Sequence, residues 1–145
     1  MPMYAKLLLS LLLLGVLQQP VDPWTPAQLM EPADLAARIK NGTAPLLICV
    51  GPSGLITGSV ETGPAHEAAH LDSLKKLLVS VDRNREVVIY CGCCPFVHCP
   101  NVRPAFNLLV SMHFTHARLL DLAHNIKTDW LDHGYPVKQE ATHAK

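Results

Sequence analysis

Four of the chain's five cysteines fall in one short stretch, Cys91, Cys93, Cys94 and Cys99, and Arg103 follows shortly after the last of them. Three chemistries suit this grouping. A thiol at the end of a strand, facing the start of the next helix, is driven towards thiolate by unpaired N–H groups and the helix dipole. Arg103 adds a fixed positive charge that can fork onto an oxyanion. Such a set would stabilise a persulfide, or hold thiosulfate, phosphate or arsenate. The thiols are also soft metal ligands. Cys91, Cys93, Cys94 and Cys99, with His98, would suit copper(I), zinc or an iron–sulfur cluster. Their spacing is not the paired C-x2-C of ordinary zinc sites. The third chemistry is structural. A disulfide from Cys99 would pin the loop, whereas a vicinal Cys93–Cys94 bridge would be strained.

The flanking segments must place those groups. Val87-Val88-Ile89-Tyr90 is β-branched and aromatic, which predicts a fully buried strand delivering Cys91 at its carboxyl end. Pro104 suits a first helical turn, and Ala105, Leu108, Leu109 and Met112 form the apolar stripe of a helix over 103–112. Upstream, Leu46 to Val50 reads as a second buried strand, and Leu55 to Val60 as a short edge strand. Ala117 to Leu122 reads as a third buried strand. Helices are expected from Thr25-Pro26, over 31–40, over 65–79 and over 123–133, the last stopped by Gly134. Cys49 reads as an inert core thiol. His66 and His70 have the i, i+4 spacing of metal ligands, but no third ligand is evident, so they read as solvent-facing. Strands alternating with helices predict an α/β fold with a mostly parallel central sheet and helices on both faces. Sheets of this kind bind at the carboxyl ends of their strands, where Cys91 lies.

Bulk properties narrow the function further. Lys+Arg and Asp+Glu both number 12. No clustered positive charge marks a nucleic-acid surface, and we expect no nucleic-acid partner. The run Leu7 to Leu17, preceded by Lys6, has the length and character of a secretory signal core and is short for a membrane span. The expected organisation is a signal peptide or N-terminal anchor over 1–20, one domain over 22–139 and a polar tail over 140–145. The protein is expected to be exported, periplasmic or secreted, and a monomer. Any membrane contact would come through an uncleaved N-terminal segment. Outside the cytoplasm, thiols tend to pair.

The chain resembles the single-domain rhodaneses over about residues 24–137. The resemblance rests on four segments: the Trp24-Thr25 to Leu29 opening, strand 46–50 followed by Ile56-Thr57-Gly58-Ser59-Val60, Val87 to Cys91 with Arg103-Pro104-Ala105, and Leu120 to Trp130 to Gly134-Tyr135-Pro136-Val137. It implies a rhodanese-like fold and a sulfurtransferase, in which a cysteine takes sulfane sulfur from a small donor and passes it to a thiol acceptor. By position Cys91 is similar to the sulfur carrier and Arg103 to the arginine that closes the loop. Cys94 and Cys99 are further candidates for the catalytic thiol, and no cofactor is implied. The chain departs from the family pattern in the eleven residues between Cys91 and Arg103, a longer loop that carries Cys93, Cys94 and Cys99. It also has Cys49-Val50-Gly51 where the family has an acidic-x-Arg segment. The resulting expectation is persulfide or thiol-redox chemistry in the loop 91–103. The alternatives are a copper- or zinc-binding module and an inactive scaffold with a disulfide-locked loop.

Overall fold

The computed structural model describes residues 21–139. The expected signal segment over 1–20 and the tail over 140–145 lie outside them. In chain order the elements are β1 (Leu29–Met30), α1 (Pro32–Lys40), β2 (Leu46–Cys49), β3 (Val60–Glu61), α2 (Ala68–Val79), β4 (Val87–Tyr90), α3 (Val102–Ser111) and β5 (Ala117–Leu120). The strands form one five-stranded sheet in the order β1-β5-β4-β2-β3, and each neighbouring pair is parallel. The expected α/β architecture is therefore present.

Alternation along the strands divides the core into two layers. Ile48, Val50, Val87, Ile89, Ala117 and Leu119 face α2 and α3, together with Leu74, Leu78, Phe106 and Leu109. Leu47, Cys49, Val88, Tyr90 and Leu120 face the other side, with Leu35, Ala36, Ile126 and Trp130. All four residues of β4 are buried, as a strand covered on both faces requires. Continuing the alternation one step past β4 puts Cys91 in the layer of α2 and α3. None of the described helices is long and apolar enough to cross a membrane.

Three local expectations are corrected. The Thr25-Pro26 start yields only a 3-10 turn over Pro26–Gln28, in which the Thr25 N–H donates to Gln28 Oε1 at 2.8 Å. The chain then enters β1, because Leu29 and Met30 pair with Leu119 and Leu120 at the sheet edge. The edge strand expected over 55–60 reduces to Val60–Glu61, while Ile56 makes an isolated antiparallel bridge to Val137. The final helix is not an α-helix over 123–133 but a single wide π-helical turn over Lys127–Leu131. Asp129 explains the late start: its carboxylate accepts the N–H groups of His124 and Asn125, which holds the preceding residues as a loop. Trp130 is fully buried, and its indole N–H donates to Pro136 O at 3.0 Å.

Candidate active site

Cys91 follows directly on β4 and is only 3% exposed. It lies against the end of β2, where the Val50 N–H donates to Tyr90 O at 2.8 Å. Gly51 leaves room for the sulfur. A Cβ built there would stand 2.4 Å from Cys91 Sγ and 2.8 Å from Cys91 O. The chain then reverses through Gly92, whose φ of 86° is costly for any other residue. A Cβ on Gly92 would also stand 2.9 Å from Ile126 Cβ. This turn brings Cys93 Sγ to 3.2 Å from Cys91 Sγ. A 3-10 turn over Phe96–His98 then carries Cys99 back under the loop, where it is 1% exposed.

The sulfur atoms of Cys91, Cys93 and Cys99 all lie within 4.8 Å of one another. Cys94 lies beside Cys93, half-buried, with its Sγ 3.3 Å from that of Cys93. All five cysteines are free thiols in this structure. Cys49 lies apart in the opposite core layer, where burial raises its pKa and its Sγ donates to Gly51 O.

Hydrogen bonding makes the three clustered thiols chemically unequal. Cys91 is held as a thiolate, its pKa lowered to about 5. The Cys99 S–H is the strongest cause and outweighs desolvation, and the Cys93 N–H, the Asn101 amide and the Cys93 S–H add to it. The partners move the other way. Partial desolvation and donation to Cys91 push Cys93 up to about 12, and donation to Cys91 raises Cys99. The cluster thus carries one negative charge, centred on Cys91, with two thiols donating to it.

Asn101 contributes a donor that the sequence motif did not suggest. Its Nδ2–H donates to Cys91 Sγ at 3.3 Å. The amide is oriented by His66, whose backbone N–H meets Asn101 Oδ1 at 3.0 Å and whose ring Nδ1 lies 2.7 Å from the same oxygen. Oδ1 can only accept, so the ring proton sits on Nδ1 and the amide N–H2 is left to face the sulfur. Asn101 occupies the N-cap position of α3, yet its side chain makes no cap bond because it is committed to His66 and Cys91. His66 is solvent-exposed as expected, its side chain 49% accessible, and its ring also orients the Asn101 amide. An Asn just before a helix is a readable N-cap signal. That its amide turns back to the strand end is not readable from the sequence.

The structure does not bring Arg103 to the thiolate. Its Nη2 donates to Asp22 Oδ1 at 2.6 Å, and its guanidinium lies 5.3 Å from the centroid of the Trp24 ring. Trp24 is in turn edge-packed against Phe96 and Phe106. Arg103 therefore fastens the segment before the 3-10 turn onto α3. His98, exposed in its own turn, is not in the sulfur cluster. The ligand set available to a metal is thereby reduced to Cys91, Cys93 and Cys99. A separate cleft of about 260 Å³, lined by Glu31, Asp121, Asp129 and His133 among others, contains none of the thiols.

Neither a family model nor a curated protein matches the sequence. Solved structures do match. The Alr3790 protein from Anabaena sp. is 19% identical, with 77% of this chain and 93% of that one covered, at a TM-score of 0.55. The 30 kDa polysulfide-sulfur transferase homodimer from Wolinella succinogenes is 15% identical, with 81% and 82% covered, at 0.53. SseA from Escherichia coli, described with the "Rhodanese" fold of 3-mercaptopyruvate sulfotransferases, is 17% identical and matches at 0.47, with 70% and 43% covered. At such identities the likeness is one of fold. It agrees with the order of strands and crossovers traced above, and the chain is a protein of the rhodanese-like fold.

Proposed function

We propose that the protein moves sulfane sulfur, with Cys91 as the persulfide carrier. The observation that carries this reading is the buried Cys91 sulfur at the carboxyl end of β4, with the Asn101 amide donating to it at 3.3 Å and the Cys93 and Cys99 sulfurs within 4.8 Å, a setting that lowers its pKa to about 5. A thiolate that persists well below neutral pH attacks a sulfane donor without first losing a proton. With thiosulfate, the Cys91 sulfur bonds the outer sulfur and sulfite leaves. The negative charge passes to the terminal persulfide sulfur, beside the same donors. The fold supports the reading by analogy, since one structural neighbour is a polysulfide-sulfur transferase. Anion holding is assigned to Asn101 and the Cys93 N–H rather than to Arg103, which Asp22 engages. The test is incubation of the reduced protein with thiosulfate or polysulfide, followed by intact mass and sulfur release to a thiol or cyanide. We expect one added sulfur atom on the wild type and none on Cys91→Ala. No added sulfur with either donor would overturn the reading.

A second reading is favoured by the sulfur cluster itself. Three sulfur atoms within 4.8 Å would suit one soft, low-coordinate ion such as copper(I), or zinc completed by another ligand. Binding would displace the two thiol protons, so affinity would rise with pH. Metal analysis of anaerobically purified protein checks it. A stoichiometric metal that disappears in both Cys93→Ala and Cys99→Ala would favour binding over transfer.

A further inference from the structure

The backbone N–H of Cys93 serves the sulfur-transfer reading, but its thiol adds least to the Cys91 thiolate. A carrier requires one thiolate and a set of donors, which Cys91, Cys99, Asn101 and the Cys93 N–H supply between them. Cys93 instead forms the outer wall of the cluster. It is exposed, whereas Cys91 and Cys99 are buried. Its Sγ is 3.2 Å from Cys91 Sγ and 3.3 Å from Cys94 Sγ, so it stands exposed between the buried Cys91 and the half-buried Cys94. A disulfide bond is about 2.05 Å long, so closing Cys91 onto Cys93 needs a movement of roughly 1 Å. The Gly92 turn already points the two side chains at each other.

On this basis, and resting on the sulfur-transfer reading above, we propose that Cys93 is a resolving thiol that discharges the Cys91 persulfide inside the protein as hydrogensulfide. The Cys93 sulfur attacks the inner, Cys91 sulfur of the persulfide. A Cys91–Cys93 S–S bond forms, and the bond between Cys91 Sγ and the terminal sulfur breaks. The terminal sulfur takes the bonding pair and the Cys93 proton and leaves as HS−. It is reduced by two electrons, and the two cysteine sulfurs supply them. The disulfide is reopened by an external dithiol, which is oxidised to its own disulfide and returns both protons. The protein thus couples a sulfane donor to a dithiol reductant and releases sulfide, rather than handing sulfur to an acceptor.

Burial selects Cys93 over Cys99. Cys99 lies as near the cluster, but at 1% exposure a Cys91–Cys99 bridge would be closed to a reductant. A Cys91–Cys93 bridge sits at the surface, and exposed disulfides are the labile ones. The half-buried Cys94, on the other side of Cys93, gives an incoming dithiol a second sulfur to engage.

The experiment uses the full chain, reduced and then freed of reductant under anaerobic conditions, with thiosulfate and polysulfide as probes. Released sulfide, thiols remaining after denaturation and peptide masses are followed together. We expect about one sulfide per chain, the loss of two thiols and a Cys91–Cys93 cross-link, with repeated turnover only on adding a dithiol. Cys93→Ser should abolish sulfide release and leave the Cys91 persulfide to accumulate. A stable wild-type persulfide with no sulfide release would overturn the role of Cys93 while leaving Cys91 as the carrier. A Cys91–Cys99 cross-link would overturn it too. Neither persulfide nor sulfide from either donor would overturn the sulfur-transfer reading itself.

Discussion

The two ends of the loop between β4 and α3 use their polar groups differently. At the Cys91 end a buried sulfur is surrounded by donors and its charge is stabilised in the interior. At the Arg103 end a partly exposed cation meets a partly exposed carboxylate and an aromatic face. The rhodanese resemblance pairs Cys91 with Arg103, yet the structure pairs Cys91 with Asn101. The reason is helical geometry. Residues two apart on a helix do not share a face, so when Asn101 turns towards the sulfur, Arg103 turns away to Asp22. The buried end should therefore set the reactivity, and the exposed end should only fasten the chain.

The sharpest way to break this contrast is to remove the strongest donor. Cys99→Ala should raise the Cys91 midpoint from about 5 towards the ordinary thiol range. At mildly acidic pH the thiolate fraction should then fall on the order of 100-fold. The pH profile of persulfide formation measures this, and Cys99→Ser, which keeps a donor, should restore much of it. An unmoved midpoint in the alanine variant would remove Cys99 from the account.

Gly51→Ala attacks the same end sterically. Its Cβ would occupy the space of the Cys91 sulfur, so we expect a loss of about 1–3 kcal/mol in denaturant unfolding and slower persulfide formation. Asn101→Ala should raise the Cys91 midpoint by about one to two pH units, the value of a hydrogen bond to a charged group. His66→Ala should act in the same direction and more weakly, since it only orients the amide.

Stability should follow pH through the same thiolate. The Cys91 pKa is about 5 in the folded protein against an ordinary 9.0, so its contribution is fully present above 9 and is lost as pH falls through 5. Cys93 and Cys99 are shifted upwards, and their contributions decline as pH rises past 9. Melting of the reduced protein should therefore show stability rising between pH 5 and 9 through this group, a rise missing in Cys91→Ala. The smallest effect is expected at the other end. Arg103→Gln should cost no more than about 1 kcal/mol, as for exposed ion pairs, and leave the Cys91 midpoint in place. A midpoint shift as large as that of Asn101→Ala would erase the distinction between the two ends.

Much of the fold was legible in the chain. Uninterrupted apolar runs at 46–50 and 87–90 mark strands covered on both faces, and both lie at the centre of the sheet. The apolar spacing of 65–79 and 103–112 marks the two helices that cover one face. The elements that were misread are short and at the periphery. Leu29–Met30 becomes a strand only because β5 presents an edge to it, and the turn over Lys127–Leu131 is shaped by Asp129 binding N–H groups behind it. The first cause lies far off in sequence, and the second is a side-chain capture of backbone N–H groups, which apolar periodicity does not read.

The same division runs through the site. The sequence by itself determined that a thiol-rich loop follows a buried strand and precedes a helix, because residue type and apolar run length are local properties. Tertiary structure decided which groups meet. The approach of Gly51 to Cys91, the hold of His66 on the Asn101 amide, and the capture of Arg103 by Asp22 join residues 35 to 81 positions apart, and Asn101 then reaches the Cys91 sulfur ten positions back. The low pKa of Cys91 comes from Cys99, Cys93 and Asn101, near it in sequence but gathered on one sulfur only once the loop folds back over the strand end.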